Sequence, residues 1–237
     1  MRIAVPLGAL YGETLDVLDA VGIDTDRLRS DSRALLFPGE RLTVVTLRPS
    51  DVPTYVEAGA VDVGITGKDV LLEQQERAVY ELLDLRYGYC RMVVASRAGS
   101  HHAEELERRL GAIRVATKYP RVAARHFQES GRQAEVIEVK GSVELAPIAG
   151  LADAIVDLTA TGRTLRENDL EIREEIVACS ARLVANRVAH KLRQVEIDEL
   201  VGGMAAATSR IEASISAAAP DEGVVSDETE EGARLAG

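Results

Sequence analysis

Short, β-branched apolar runs alternate with stretches of helical period along most of this chain, and that alternation confines it to an α/β architecture. Residues 3–5, 42–47, 61–65, 92–95, 114–117, 136–139 and 154–158 read as strands, bounded by Gly, Pro or charge as buried parallel strands are. Helical periods lie between them at 14–20, 51–58, 103–110 and 122–130, and Gly22, Gly59, Gly111 and Gly131 act as their stops. Pro53 supplies first-turn chemistry for the second helix. Repeated strand–helix–strand order predicts mainly parallel sheets covered by helices.

The texture changes twice, near 89–91 and after Glu175, where a long helical region is expected to begin. This divides the chain into a first lobe, residues 1–90 with 176–205, and a second lobe, residues 91–175. Residues 206–237 read as a helix end and a disordered acidic tail. A chain that crosses twice between lobes makes a hinged cleft, a natural place for small ligands.

The net charge of −11 is concentrated late in the chain, where residues 220–237 carry six acids against one base. No Lys/Arg stripe is present and aromatics are only 3%, which argues against a nucleic-acid partner. No run approaches the roughly 18 apolar residues of a membrane helix. The opening Met1-Arg2-Ile3-Ala4-Val5-Pro6 lacks a signal-peptide core, so the expected compartment is the cytoplasm. Cys90 and Cys179 sit in apolar stretches without metal-ligand spacing and read as buried, reduced thiols. His101 and His102 lie in a polar stretch and read as solvent-exposed.

Chemistry concentrates in Ala152-Asp153-Ala154-Ile155-Val156-Asp157-Leu158-Thr159-Ala160-Thr161-Gly162-Arg163-Thr164-Leu165. A buried strand carries a carboxylate, Asp157, near its end. A tight loop with three Thr hydroxyls and one Gly follows, and then a short helix. Successive backbone N–H groups in such a loop cradle an anion, and Gly162 allows close approach. Loops at the carboxyl ends of strands are where α/β sheets place ligands. A carboxylate beside a phosphate cradle suits a sugar phosphate: the loop takes the phosphate while Asp157, with Asp153, accepts from sugar hydroxyls. An ordinary helix N-cap after a strand fits the same residues.

The acidic residue, spacer and Thr161-Gly162-Arg163-Thr164 resemble the phosphoribosyl pyrophosphate (PRPP) signature of phosphoribosyltransferases. Four further segments, in order, resemble the ATP phosphoribosyltransferase family: Arg48-Pro49-Ser50-Asp51-Val52-Pro53, Gly64-Ile65-Thr66-Gly67-Lys68-Asp69, Val115-Ala116-Thr117-Lys118-Tyr119-Pro120 and Gly141-Ser142-Val143-Glu144. The resemblance implies an α/β, two-lobed, periplasmic-binding-protein-like (type II) fold with a ligand cleft between the lobes. It implies transfer of the phosphoribosyl group of PRPP to N1 of ATP, the first step of histidine biosynthesis. Mg²⁺ is implied too, held mainly by substrate phosphates and with no direct protein ligand. By the same analogy, Thr159, Ala160, Thr161, Gly162, Arg163 and Thr164 bind the 5-phosphate, and Asp157, Asp153 and Glu144 face the ribose. Arg48, Lys118, Gly67 and Lys68 serve ATP or pyrophosphate.

The family usually opens with Pro-Lys-Gly-Arg-Leu, where this chain has Pro6-Leu7-Gly8-Ala9-Leu10, two bases fewer. About 40 residues follow Arg193, too few for the regulatory domain of long-form members. The chain therefore resembles the short form, which implies a homo-oligomer that also joins a regulatory subunit resembling histidyl-tRNA synthetase.

Overall fold

Two mixed sheets, each with its own apolar core, organise the chain in a computed structural model that describes residues 1–30, 34–99 and 112–218. The helix expected at 103–110, His101, His102 and the acidic segment 219–237 lie outside the described residues.

In the first sheet the order is β2 (Leu36–Phe37), β3 (Thr43–Leu47), β1 (Arg2–Pro6), β4 (Val63–Gly67), β11 (Ala181–Asn186), β5 (Val79–Asp84). β3, β1 and β4 run parallel, while β2 and β11 are antiparallel to their neighbours. All five residues of β4 are buried, because helices cover both faces. On one face, α1 (Tyr11–Ala20) and α9 (Gln194–Ala218) bring Leu15, Leu18, Ile197 and Met204 against Ile3, Ile65 and Leu183. On the other, α3 (Val52–Glu57) packs Val52 and Val56 against Ala4, Val61 and Val184. Full burial of one such side chain contributes roughly 1.5–3 kcal/mol. Truncating Leu15 or Ile65 to Ala costs about 2–5 kcal/mol, since neither site can collapse freely.

The second sheet has the order β10 (Leu170–Cys179), β6 (Cys90–Arg97), β9 (Ala154–Thr159), β7 (Ile113–Thr117), β8 (Ala134–Glu138). β9, β7 and β8 are parallel; β6 and β10 are antiparallel. The amphipathic α5 (Pro120–Glu129) buries Phe127 with Met92, Val115 and Val156 on one face. Val93, Val143, Ile155 and Leu165 fill the other.

The long helical region expected from 176 is not what the chain forms. Two strands occupy it as far as Asn186, and helix begins only with α8 (Arg187–Leu192). β10 is an edge strand whose exposed Glu171, Arg173 and Glu175 hide the apolar alternation, and its pairing with β6 overrides the helix preference of its glutamates. The second sheet therefore continues through Cys179, and residues 176–179 stay on it. Asn186 stops β11: its side-chain oxygen accepts from the amides of Val188 and Ala189, both at 2.9 Å, and starts α8.

The chain passes between sheets at residues 85–89 and again at Ser180. The two crossings are tied together by Leu85 N–H to Ala181 O and Ala181 N–H to Tyr87 O, both 2.9 Å. Gly67, ending β4, lies opposite Ala181; Thr159, ending β9, lies opposite Arg91. The carboxyl ends of the parallel strands in both sheets therefore meet at the crossings, and their loops line one cleft. Among the described residues no helix is long and apolar enough to cross a membrane.

Candidate active site

The loop after β9 folds on its own hydroxyls. Gly162 has φ +73°, a left-handed conformation that a side chain would strain. Its amide donates to Thr159 Oγ1 at 2.8 Å, and the Arg163 amide donates to Thr161 Oγ1 at 3.3 Å. The Arg166 guanidinium donates to the Thr161 carbonyl at 3.0 Å, holding the turn from outside. Two of the amides expected to cradle an anion are thus engaged within the loop. Those of Thr161 and Thr164 donate to no group among the described residues. Ala160, Thr161, Arg163 and Thr164 are exposed, while Thr159 and Gly162 are buried. Arg163 is drawn sideways onto Glu167 at 2.7 Å, one turn along α7 (Arg163–Glu167).

Asp157 lies behind this loop with 8% of its surface exposed. Burial pushes its carboxyl above the ordinary aspartate range, and neighbouring Glu144 adds to that; the Leu158 amide, 2.8 Å away, and the Lys118 ammonium pull it back. Lys118 follows β7 and Glu144 immediately precedes α6 (Leu145–Ile148), so separate loops of the second lobe meet at this acid. The fold brings together Asp157, Glu144, Lys118 and the loop from Thr159 to Thr164.

Two expected residues stand apart. Asp153 precedes β9, at the opposite end of the strand from the loop. Its carboxylate takes the Arg114 guanidinium at 2.9 and 3.3 Å and the Arg114 amide at 2.9 Å. It ties β7 to β9 and does not face the cleft loop. Lys68, the first residue of α4 (Lys68–Glu73), is paired with Glu81 of β5 at 2.8 Å, and Glu81 also meets Arg182 at 3.4 Å. Its charge is committed to the first sheet.

Arg48 follows β3, exposed and without an ion pair among the described residues. Gly67 ends β4, and a β-carbon there would collide with the Asp69 carboxylate, so the glycine makes room for that acid. Burial pushes Asp69 above its ordinary range. Asp69 accepts from Tyr119 Oη at 3.4 Å, across the cleft, and the phenol is in turn pushed up by burial. Sequence reading passed over Asp69 and Tyr119, although the signal that selected Asp157, an acid where a buried strand ends, also marks Asp69. Leu7 and Ala9 sit exposed after β1.

Comparison with known proteins adds a family likeness. Residues 48–206 match the HisG family model, described as ATP phosphoribosyltransferase. An ATP phosphoribosyltransferase of Rubrobacter xylanophilus is 53% identical over 207 residues, covering 86% of this chain and 94% of the relative. One from Alkaliphilus metalliredigens is 46% identical over 212 residues, covering 89% and 99%. Among solved structures, the ATP phosphoribosyl transferase (HisG:HisZ) complex from Thermotoga maritima matches with TM-score 0.75 and 35% identity, over 89% of this chain and 99% of that one. The periplasmic aliphatic sulphonate binding protein SsuA from Escherichia coli shares the two-lobed fold at TM-score 0.61 and 11% identity, over 92% and 75% of the respective chains. The matched segment contains Arg48, Gly67, Lys118, Glu144 and the whole loop after Asp157, while Leu7 and Ala9 lie outside it.

Proposed function

This chain belongs to the ATP phosphoribosyltransferase family, and from that premise we propose that its cleft joins N1 of ATP to the anomeric carbon of PRPP, releasing pyrophosphate. The reaction is the first step of histidine biosynthesis. The observation that carries this reading is the loop after Asp157, whose Thr161 and Thr164 amides lie open beside a buried acid.

The ring nitrogen of adenine is already a nucleophile, so the protein has to align two substrates and stabilise charge on the departing group. The transition state has oxocarbenium character, as in other glycosyl transfers. The loop from Thr159 to Thr164 grips the 5-phosphate through its free amides and hydroxyls. Asp157 and Glu144 accept from the ribose hydroxyls, which fixes the ring and keeps negative charge near the anomeric carbon. Lys118 and Arg48, from opposite lobes, receive the pyrophosphate or triphosphate. Asp69 and Tyr119 close the cleft between them.

Mg²⁺ fits as a companion of the substrates. Among the described residues no group of three or more His, Cys, Asp or Glu side chains forms a metal cage. Asp157 and Glu144, the carboxylates beside the site, are assigned to the ribose, so the ion's ligands would be mainly phosphate oxygens and water. When bound, the ion offsets negative charge on the pyrophosphate.

The Thermotoga maritima relative is a complex of HisG with HisZ. By that likeness this chain pairs with a HisZ regulatory subunit, which we take to resemble histidyl-tRNA synthetase; we propose further that it forms a homo-oligomer and works in the cytoplasm. Pyrophosphate release measured with PRPP, ATP and Mg²⁺, with and without that subunit, tests the reading. Asp157→Asn and Thr161→Ala should each lower turnover by about 10²-fold with the fold intact. Unchanged kinetics in both variants would remove the assignment.

A further inference from the structure

Cys90 opens β6 and Cys179 closes β10, and the two lie directly opposite each other in the antiparallel register. Opposed residues on antiparallel strands have α-carbons about 4.5–5.5 Å apart. A disulfide spans about 4.4–6.8 Å, so these backbones need not move to be bridged. The two thiols influence each other's titration: Cys179 draws Cys90 down and Cys90 pushes Cys179 up. The place in the fold matters as much as the distance. Cys90 is the first strand residue after the crossing at 85–89, and Cys179 is the last before the crossing at Ser180. Both polypeptide links between the lobes pass through this pair. Arg86 in the first crossing has φ +57°, a conformation uncommon for a side-chain-bearing residue and retained only where the surroundings enforce it.

We infer that Cys90 and Cys179 form a reversible disulfide at the foot of the hinge, by exchange with a low-molecular-weight disulfide such as oxidised glutathione, and that this bond restrains lobe movement by locking together the two strands from which both links depart. Cys90 is half-buried and Cys179 is 1% exposed, so the reagent meets Cys90 first. The neighbouring Cys179 thiol holds the Cys90 thiol below its ordinary range, against burial and the nearby Asp69 carboxylate. That favours the thiolate, which is the nucleophile. The Cys90 thiolate attacks one sulfur of glutathione disulfide and expels one glutathione thiolate. Cys179 then loses its proton to solvent, attacks the Cys90 sulfur and expels the second. Two protein thiols are oxidised and one glutathione disulfide is reduced to two thiols, each taking up a proton. The bridge fastens β6 to β10 where both leave the second sheet, beside the Asp69–Tyr119 contact that spans the cleft.

Its effect on turnover rests on the proposed function; the bond itself does not. The chain contains only these two cysteines, so thiol counting is unambiguous. The full chain is equilibrated in graded ratios of reduced to oxidised glutathione, alkylated, and followed by intact mass, non-reducing electrophoresis and pyrophosphate release. Expected are a monomer-mass chain with no free thiol, lighter by about 2 Da than the reduced chain. Turnover should fall about tenfold, as for an enzyme limited by cleft motion, and return with dithiothreitol. Cys90→Ser should keep its turnover under oxidised glutathione, and so should Cys179→Ser where it folds. Two alkylatable thiols persisting in excess oxidised glutathione, a glutathione adduct on Cys90 that never resolves, or an oxidised chain as fast as the reduced one would each overturn the inference. A reduced chain that releases no pyrophosphate would count against the enzyme reading, while the thiol count still decides the bond.

Discussion

The carboxylate of Glu73, at the end of α4 in the first lobe, accepts the backbone amide of Val122 in the first turn of α5 in the second, at 3.1 Å. Both Glu73 oxygens also take the Arg121 amide, at 3.0 and 3.1 Å. First-turn amides have no partner inside their own helix. A residue from one lobe therefore caps a helix of the other, and opening the cleft here returns those amides to water.

Glu73→Ala is accordingly expected to lower unfolding free energy by about 1 kcal/mol, the usual loss on removing a helix cap. It should also speed hydrogen exchange at Arg121 and Val122 more than elsewhere in α5. Equal protection in variant and parent would show that the contact does not hold the lobes.

Asp157 has its carboxyl above the ordinary value of 3.8 because burial disfavours the charge. The native state then binds this proton more tightly than the unfolded chain does. Its stabilising contribution is complete below the unfolded value and disappears as pH rises through the native one, so stability falls with increasing pH across that window. Asp69 acts in the same direction. Ionising either acid in its buried position therefore costs stability. Asp157→Asn is thus expected to raise stability at pH 7 by about 1 kcal/mol, in the range typical of relieved functional sites, while turnover collapses. The gain should shrink as pH is lowered toward 4. Melting curves across pH would check this, and a loss of stability at pH 7 would contradict the burial argument.

Signals written locally were legible in the sequence. β9 and its loop came from contiguous residues, a β-branched run followed by Thr161-Gly162, and the chain folds there as read. Signals that depend on distant pairing were not. β10 carries glutamates that favour helix until β6 pairs with it, and β5 and β11 acquire their place only between each other and β4. Lys68 looked available for pyrophosphate until Glu81, thirteen residues on, came alongside it. Asp153 and Asp157 are both acids on the same short segment; only the neighbouring Arg114 of β7, which claims Asp153 at the far end of the strand from the loop, tells their roles apart.

That separation gives a discriminating variant. Asp153→Ala breaks the clasp on Arg114 and should lower the melting temperature. Because Asp153 lies away from the loop, kcat/KM for PRPP in the folded protein should stay within about twofold of the parent, since no transition-state contact is lost. A large fall in kcat/KM at unchanged stability would return Asp153 to the ribose.

Gly162 carries the sharpest backbone demand in the site. At φ +73° an added β-carbon is strained whatever the space, and here it would also lie 3.0 Å from Arg166 Nη1. That guanidinium is the group that holds the Thr161 carbonyl, so strain at Gly162 passes directly to the residue whose amide is open. Gly162→Ala should therefore cost about 1 kcal/mol of stability. It should also raise the KM for PRPP about tenfold, the loss of one loop hydrogen bond to a charged phosphate. The KM for ATP should move little, because Arg48, assigned to its triphosphate, follows β3 in the other sheet and does not touch this turn. Titrating each substrate in steady state separates the outcomes: equal rises in both constants would mean that the loop shapes the cleft as a whole and does not hold the 5-phosphate.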